Sequence, residues 1–162
     1  MNHKIVIYPG TFDPIHMGHV DIVERASRIF DEVIIAIAVN IDKNPLFSVD
    51  ERIELAVGAT SHVKNIKALS TDGLIADLAK EHNACGLIRG LRHVSDFEYE
   101  FQMATMNNHL NPSVSTLLMV TSDKYVHINS SMVKNVSKLN GDIAKYVPNN
   151  VLLALKQKFK HS

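Results

Sequence analysis

The sequence predicts an α/β fold built on a mainly parallel sheet, and three observations predict it. Short apolar runs alternate with amphipathic runs of helical spacing along most of the chain. One apolar run, Val33–Val39, is continuously apolar and rich in β-branched residues, as expected of a central strand covered on both faces. The junctions between runs carry Gly, Pro, Asp, Asn and Ser, the residues of turns and helix caps. Crossovers in such a sheet are right-handed, and ligands bind beyond the carboxyl ends of its strands, near the switch in strand order.

The first strand is Lys4–Tyr8, ended by Pro9-Gly10 because Pro lacks an N–H and Gly tolerates positive φ. Val20, Ile22, Val23, Ala26, Ile29 and Phe30 give the first helix its apolar stripe. After the strand Val33–Val39 comes a loop, Ile41–Phe47, with Asp42, Lys43 and Pro45. Ser48 with Glu51 three residues on is a capping box, opening a helix over Val49–Ala59 with Ile53, Leu55, Ala56 and Val57 as its apolar face. Asn65–Leu69 is a short strand, Thr71-Asp72-Gly73 a turn and Leu74–His82 a helix. Gly86–Arg89 is the fourth strand, followed by a long helix from about Asp96 to Leu110 that Asn111-Pro112 ends. Ser115–Val120 is the fifth strand. A helix begins at Asn129-Ser130-Ser131 and ends at Asn140-Gly141, and Pro148 starts the last one.

The 162 residues suit one domain, with no internal repeat or linker. Lys plus Arg and Asp plus Glu both number 17, so a general nucleic-acid binder, which carries a basic excess, is not expected. Neither a long apolar run nor a charged-then-apolar leader is visible, so no membrane partner and a cytoplasmic location are expected. The single cysteine, Cys85, fits a reducing compartment and is expected to pack as a small buried hydrophobe.

The chemistry concentrates where strands end. Thr11-Phe12-Asp13-Pro14-Ile15-His16-Met17-Gly18-His19 joins the first strand to the first helix. A helix start offers unpaired N–H groups and partial positive charge to an anion, and two imidazoles flank Gly18 there. That reads as a phosphate site. A zinc site is the rival use of two such histidines, but it needs further ligands and only Asp13 is near. Thr11 offers a hydroxyl and an N–H, and Lys43 follows the second strand. Arg89 and Arg92 flank Gly90 at the end of the fourth strand, where guanidinium groups can grip phosphate or pair with Asp96 or Glu98. Glu100 and Asn107, seven apart, share one face of the long helix, on which Phe97, Met103 and Met106 are core or interface. Ser130 and Ser131 repeat the anion-facing helix start. There is no nucleophile–base pair, Walker A lysine motif or GxGxxG fingerprint, so the chemistry indicated is direct phosphoryl or nucleotidyl transfer.

His16-Met17-Gly18-His19 fits the HxGH signature of the nucleotidyltransferase superfamily. Tyr8–Pro14, Lys43-Asn44-Pro45, Leu87–Arg92, Asp96–Glu100 and Ile128–Ser131 narrow it: the chain resembles the bacterial phosphopantetheine adenylyltransferases over nearly its full length. The resemblance implies a single-domain, Rossmann-like nucleotidyltransferase fold, a five-stranded parallel sheet with helices on both faces. It implies transfer of the adenylyl group of ATP to 4'-phosphopantetheine, giving dephospho-coenzyme A and pyrophosphate. His19, Lys43, Thr11 and Arg92 would then be catalytic. His19 would steady the α-phosphate, while Thr11 and Lys43 would align the attacking phosphate. Arg92, Ser130 and Ser131 would hold the β- and γ-phosphates, and Gly90 would lie against the adenosine. Phe12, Leu91, Glu100, Tyr125, Val126, His127, Ile128 and Asn129 complete the implied ATP contacts. Leu74, Ile75, Arg89, Glu100 and Asn107 would meet phosphopantetheine. The family uses Mg²⁺ held mainly by phosphates, with no protein metal cage, and assembles as homohexamers. Asn129 stands where relatives often have Ser, and Tyr125 where many have Trp. Adenylyl transfer to nicotinamide mononucleotide, cytidylyl transfer to an alcohol phosphate and a non-catalytic nucleotide sensor are the other readings. The Arg89–Glu100 segment speaks against the first two, and the intact histidines, Lys43 and arginines against the third.

Overall fold

A computed structural model describes residues 3–39 and 44–160. Along the chain run β1 (Ile5–Gly10), α1 (Met17–Ser27), β2 (Glu32–Ala38), α2 (Val49–Ala59), β3 (Ile66–Thr71) and α3 (Ile75–Glu81). Then come β4 (Gly86–Leu91), α4 (Val94–Leu110), β5 (Ser115–Val120), α5 (Ser130–Lys138) and α6 (Asn149–Lys158). The strands form one sheet in the order β3-β2-β1-β4-β5, and each neighbouring pair is parallel. The order reverses between β1 and β4, so the loops leaving those two strands diverge and open a crevice. The α/β fold expected from the alternating pattern is the fold found.

Side-chain alternation divides the core between the two sheet faces. Val6, Tyr8, Val33, Ile35 and Ile37 pack with apolar residues of α1, α2, α5 and α6. Ile7, Ile34, Ala36 and Leu87 pack with Leu78 and Ala79 of α3. The run Val33–Ile37 is wholly excluded from solvent, which is why it reads as continuously apolar.

The capping box at α2 is present: Ser48 Oγ accepts from Glu51 N at 3.2 Å, and Glu51 Oε2 accepts from Ser48 N at 2.7 Å. Its buried face differs from expectation. Arg52, Leu55, Ala56 and Ala59 point inward, while Val57 is exposed. The inward residues follow the i, i+3, i+4, i+7 spacing of one helix face, and an arginine fills its first position. Helix α4 begins at Val94, ahead of the expected Asp96, because the Asp96 carboxylate reaches back to accept from Arg92 N and His93 N at 3.2 and 3.1 Å.

One packing expectation is corrected and another, that of core or interface on α4, is narrowed. Cys85, just ahead of β4, is exposed although its backbone is tied to the sheet: its N–H donates to Ile5 O at 2.8 Å and its C=O accepts from Ser115 N at 3.3 Å. Phe97, Met103 and Met106 are not core, since Glu100 is the only buried residue of α4. Tyr99, Phe101 and Leu110 are exposed on the same helix, and Val120 is exposed at the end of β5. Among the described residues, no helix is long and apolar enough to cross a membrane.

Candidate active site

The crevice at the carboxyl ends of β1 and β4 is a cavity of about 250 Å³. Its floor is the turn after β1. Phe12 has φ 47°, and the following Asp13–Pro14 peptide is cis. The Phe12 ring folds back under Gly10, where a Cβ would meet Phe12 Cε2 at 2.9 Å, so a side chain at position 10 would displace the ring. Phe12 also meets Tyr8 and His19 edge-on, at ring-centroid distances of 5.3 and 4.8 Å.

The histidines open α1 together. His16 Nδ1 accepts from Gly18 N at 3.1 Å, and His19 Nδ1 accepts from His16 N at 3.2 Å. The two rings stack at 3.6 Å, and Gly18 makes room, since a Cβ there would lie 3.0 Å from the His16 ring. With Nδ1 accepting in both, the neutral rings carry their proton on Nε2. Both stay neutral. Burial, helped by the Arg92 charge, pulls His16 down to about 3. Burial, then His16 and Arg92, holds His19 well below the usual imidazole range. A neutral Nε2–H at the cavity is a hydrogen-bond donor rather than a general acid.

Asp13, almost fully buried, ties three segments. Its carboxylate accepts from Leu46 N and Phe47 N, each at 2.9 Å, and from Lys134 Nζ at 2.7 Å. Burial alone would raise its pKa; these three donors outweigh burial and lower it. The first turn is thereby pinned to the segment before α2 and to α5.

From β4, Arg89 grips Glu100 by two parallel bonds, Nε to Oε2 at 2.7 Å and Nη2 to Oε1 at 2.9 Å, and donates from Nη1 to Pro9 O at 3.1 Å. Burial pulls Arg89 down, but the Glu100 carboxylate more than offsets it and keeps the guanidinium charged. Arg92 spans the crevice mouth, with Nη1 3.5 Å from Ile128 O and Nε 3.6 Å from Asp96 Oδ2. The pairing of Arg92 with Asp96 is therefore real, and it leaves the guanidinium on the cavity wall. Gly90 brings β4 against α1: a Cβ there would lie 2.8 Å from Ile22 Cδ1 and 3.5 Å from the Tyr8 hydroxyl. Burial raises the Tyr8 hydroxyl above the usual phenol range despite the nearby arginines, so it remains a neutral phenol. Opposite, Asn129 Oδ1 caps α5 by accepting from Met132 N at 2.8 Å. Ser130 Oγ is spent on Pro14 O at 2.8 Å, so the cavity receives the N–H end of α5 more than that hydroxyl.

Of the residues singled out from sequence, Thr11, Phe12, His19, Arg89, Gly90, Arg92, Glu100, Tyr125, Ile128, Asn129 and Ser130 line this cavity. Leu74, Ile75, Leu91, Asn107, Val126, His127 and Ser131 do not. Leu74 is exposed before α3, Ile75 packs on the core below it, and His127 turns away to meet Tyr146 edge-on at 5.5 Å. Lys43 lies outside the described residues. Thr121, expected from its place at a strand end, lines the cavity too, as do Tyr8 and Ile22, two residues that the sequence did not single out as contacts. Each stands on an element that feeds the crevice, and for Tyr8 the two-residue alternation with Val6 was the available clue. Among the described residues, no group of three His, Cys, Asp or Glu side chains is arranged for a metal ion.

Comparison with known proteins bears on the family and the fold. Residues 7–136 match the family model described as cytidylyltransferase-like. A phosphopantetheine adenylyltransferase of Clostridium botulinum is 50% identical over 149 residues, covering 92% of this chain and 94% of its own. Another, of Caldanaerobacter subterraneus subsp. tengcongensis, is 47% identical over 159 residues, covering 98% and 99%. A solved structure assigned as a nicotinate-nucleotide adenylyltransferase of Vibrio parahaemolyticus shares the fold with a TM-score of 0.72 at 17% identity, covering 99% of this chain and 98% of its own.

Proposed function

The chain belongs to the phosphopantetheine adenylyltransferases, enzymes of coenzyme A biosynthesis, and we propose that the crevice between β1 and β4 is where the phosphate of 4'-phosphopantetheine meets the α-phosphate of ATP. One observation supports the placement most: His19, Thr11, Arg89, Arg92 and the N-terminus of α5 all reach a single cavity.

A phosphate oxygen of 4'-phosphopantetheine attacks the α-phosphorus in line. The bond from that phosphorus to the bridging oxygen breaks, and pyrophosphate leaves, with no covalent enzyme intermediate. The protein's part is position and charge. Neutral His19 donates from Nε2–H to an α-phosphate oxygen as negative charge redistributes there. Thr11 and Lys43 align the attacking phosphate. Arg92 and the free N–H groups of α5 take the β- and γ-phosphates. Arg89, charged but paired with Glu100, serves the phosphopantetheine side through its remaining N–H groups rather than as a bare cation. The lining offers N–H and cationic donors with Glu100 occupied, which suits Mg²⁺ that arrives on ATP and stays on its phosphates, where it would neutralise charge. A homohexamer is proposed on the exposed apolar residues of α4 and the end of β5, together with a cytoplasmic location.

The test is pyrophosphate release from ATP and Mg²⁺ with 4'-phosphopantetheine, nicotinamide mononucleotide or an alcohol phosphate as acceptor. Release with 4'-phosphopantetheine alone is expected. Preference for the mononucleotide, or tight ATP binding without release, would overturn the reading.

A further inference from the structure

Arg52 is 2% exposed, on the inward face of α2. Among the described residues it has no carboxylate within ion-pair distance. Its hydrogen bonds go to backbone carbonyls. Nη1 donates to Thr11 O at 2.8 Å and to Ala38 O at 3.1 Å, and Nε lies 3.4 Å from Ser48 O. These carbonyls belong to the turn after β1, the end of β2 and the cap of α2. One planar guanidinium thus clamps the carboxyl ends of two neighbouring strands to the helix that follows them.

A buried cation that meets only carbonyls among the described residues is a poor way to stabilise a helix face, because desolvation opposes it and an apolar side chain of similar volume does as well or better. The position calls for an explanation other than packing. The Thr11 carbonyl belongs to the peptide that joins Thr11 to Phe12, so a donor fixed on it sets the tilt of that peptide. Phe12, at φ 47°, holds a left-handed backbone that a bulky side chain seldom adopts without support. Its ring in turn abuts His19 at 4.8 Å. Contact therefore runs from Arg52 to the Thr11–Phe12 peptide, to the Thr11 hydroxyl on one side and to the His19 ring on the other.

We propose that Arg52 is a positioning residue for adenylyl transfer: it touches no substrate, and it holds the Thr11–Phe12 peptide so that Thr11 and His19 face the reacting phosphates. This rests on the proposed role of the crevice. Full-length Arg52→Met and Arg52→Lys proteins test it by thermal melting and by steady-state pyrophosphate release. Arg52→Met removes the clamp but keeps volume. It should melt at or above the parent temperature while kcat falls about 10- to 100-fold, the scale of a misplaced reacting group, with KM for ATP within about threefold. Arg52→Lys, able to reach one of the two strand-end carbonyls, should recover part of the lost turnover. A purely structural residue would not separate stability from turnover in this way. Parent-like kcat in Arg52→Met would overturn the proposal. So would a loss lying wholly in KM for ATP, or unfolding of both variants.

Thr11→Ala serves as the reference. If it turns over like the parent, the crevice reading fails at that residue whatever Arg52 does. If it is slow and Arg52→Met is not, only the positioning role fails. The double variant should lose less than the product of the two single losses, since Arg52 acts in part through the Thr11 hydroxyl.

Discussion

At His19 the backbone settles the chemistry of the side chain. A main-chain N–H occupies Nδ1, so the proton sits on Nε2, and burial keeps the ring neutral. A donor aimed at charge that grows in the transition state affects kcat more than ground-state binding. His19→Ala should therefore lower kcat by about 100-fold or more while ATP affinity, read by calorimetry, changes only a few-fold. Equal losses in both would contradict the role. His16 makes a pH prediction. Its folded pKa of about 3 is below the unfolded value near 6.5, so between those limits the unfolded chain binds a proton that the native one refuses. Stability contributed by neutral His16 is complete above pH 6.5 and declines as pH falls, by at most about 1.4 kcal/mol per pH unit for this group. Urea titrations from pH 7 to pH 5 should show that decline. His16→Asn, whose side chain can still cap Gly18 N, should show a shallower one. The histidines and Arg92 were legible in the sequence because His flanking Gly at a helix start, and Arg at a strand end, are chemically unusual there. The two-bond grip of Glu100 on Arg89 was not, because eleven residues of chain and a turn separate them and spacing alone does not bring them together.

Elements converge on Asp13. Its carboxylate holds the segment entering α2 and the Lys134 ammonium of α5, so the first turn and two helices share one buried anion. Lys134→Met strands that charge and should cost about 3 kcal/mol in urea unfolding at pH 7. Adding Asp13→Asn should return much of the loss, because the uncompensated charge is gone. A cost under about 1 kcal/mol for Lys134→Met alone would show the pair to be no stronger than a surface one. Most elements could be placed from sequence because their ends carry local chemistry: α2 has its capping box and α5 its Asn129 cap. Local rules failed where the deciding contact was distant or reversed. Arg52 vanished from the apolar pattern of α2 because its partners are carbonyls on other elements. The start of α4 shifted because Asp96 caps backwards from inside the helix. The apolar side chains of α4 were recognisable, but a single chain's pattern does not say whether its own core or another surface covers them.

Over the whole molecule, the sheet is fully buried at its centre and only half-buried along β5. Phe97 and Phe101, with ring centroids 5.9 Å apart, stand with Met106 on an exposed stretch of α4. A proposed hexamer needs such a surface. Light scattering should return a mass near six chains for the parent, and Phe101→Glu with Met106→Glu should reduce it to one. A monomeric parent would remove the hexamer. The span of the crevice's ties has a different consequence, one of timing. Ser130 bonds Pro14 across 116 positions and Lys134 bonds Asp13 across 121. A chain emerging from the ribosome thus carries its first turn unfinished until most of its length has been made. Nascent chains arrested before Ser130 should form strands yet retain no nucleotide, and the capacity to do so should arrive abruptly, late in synthesis, rather than grow with length.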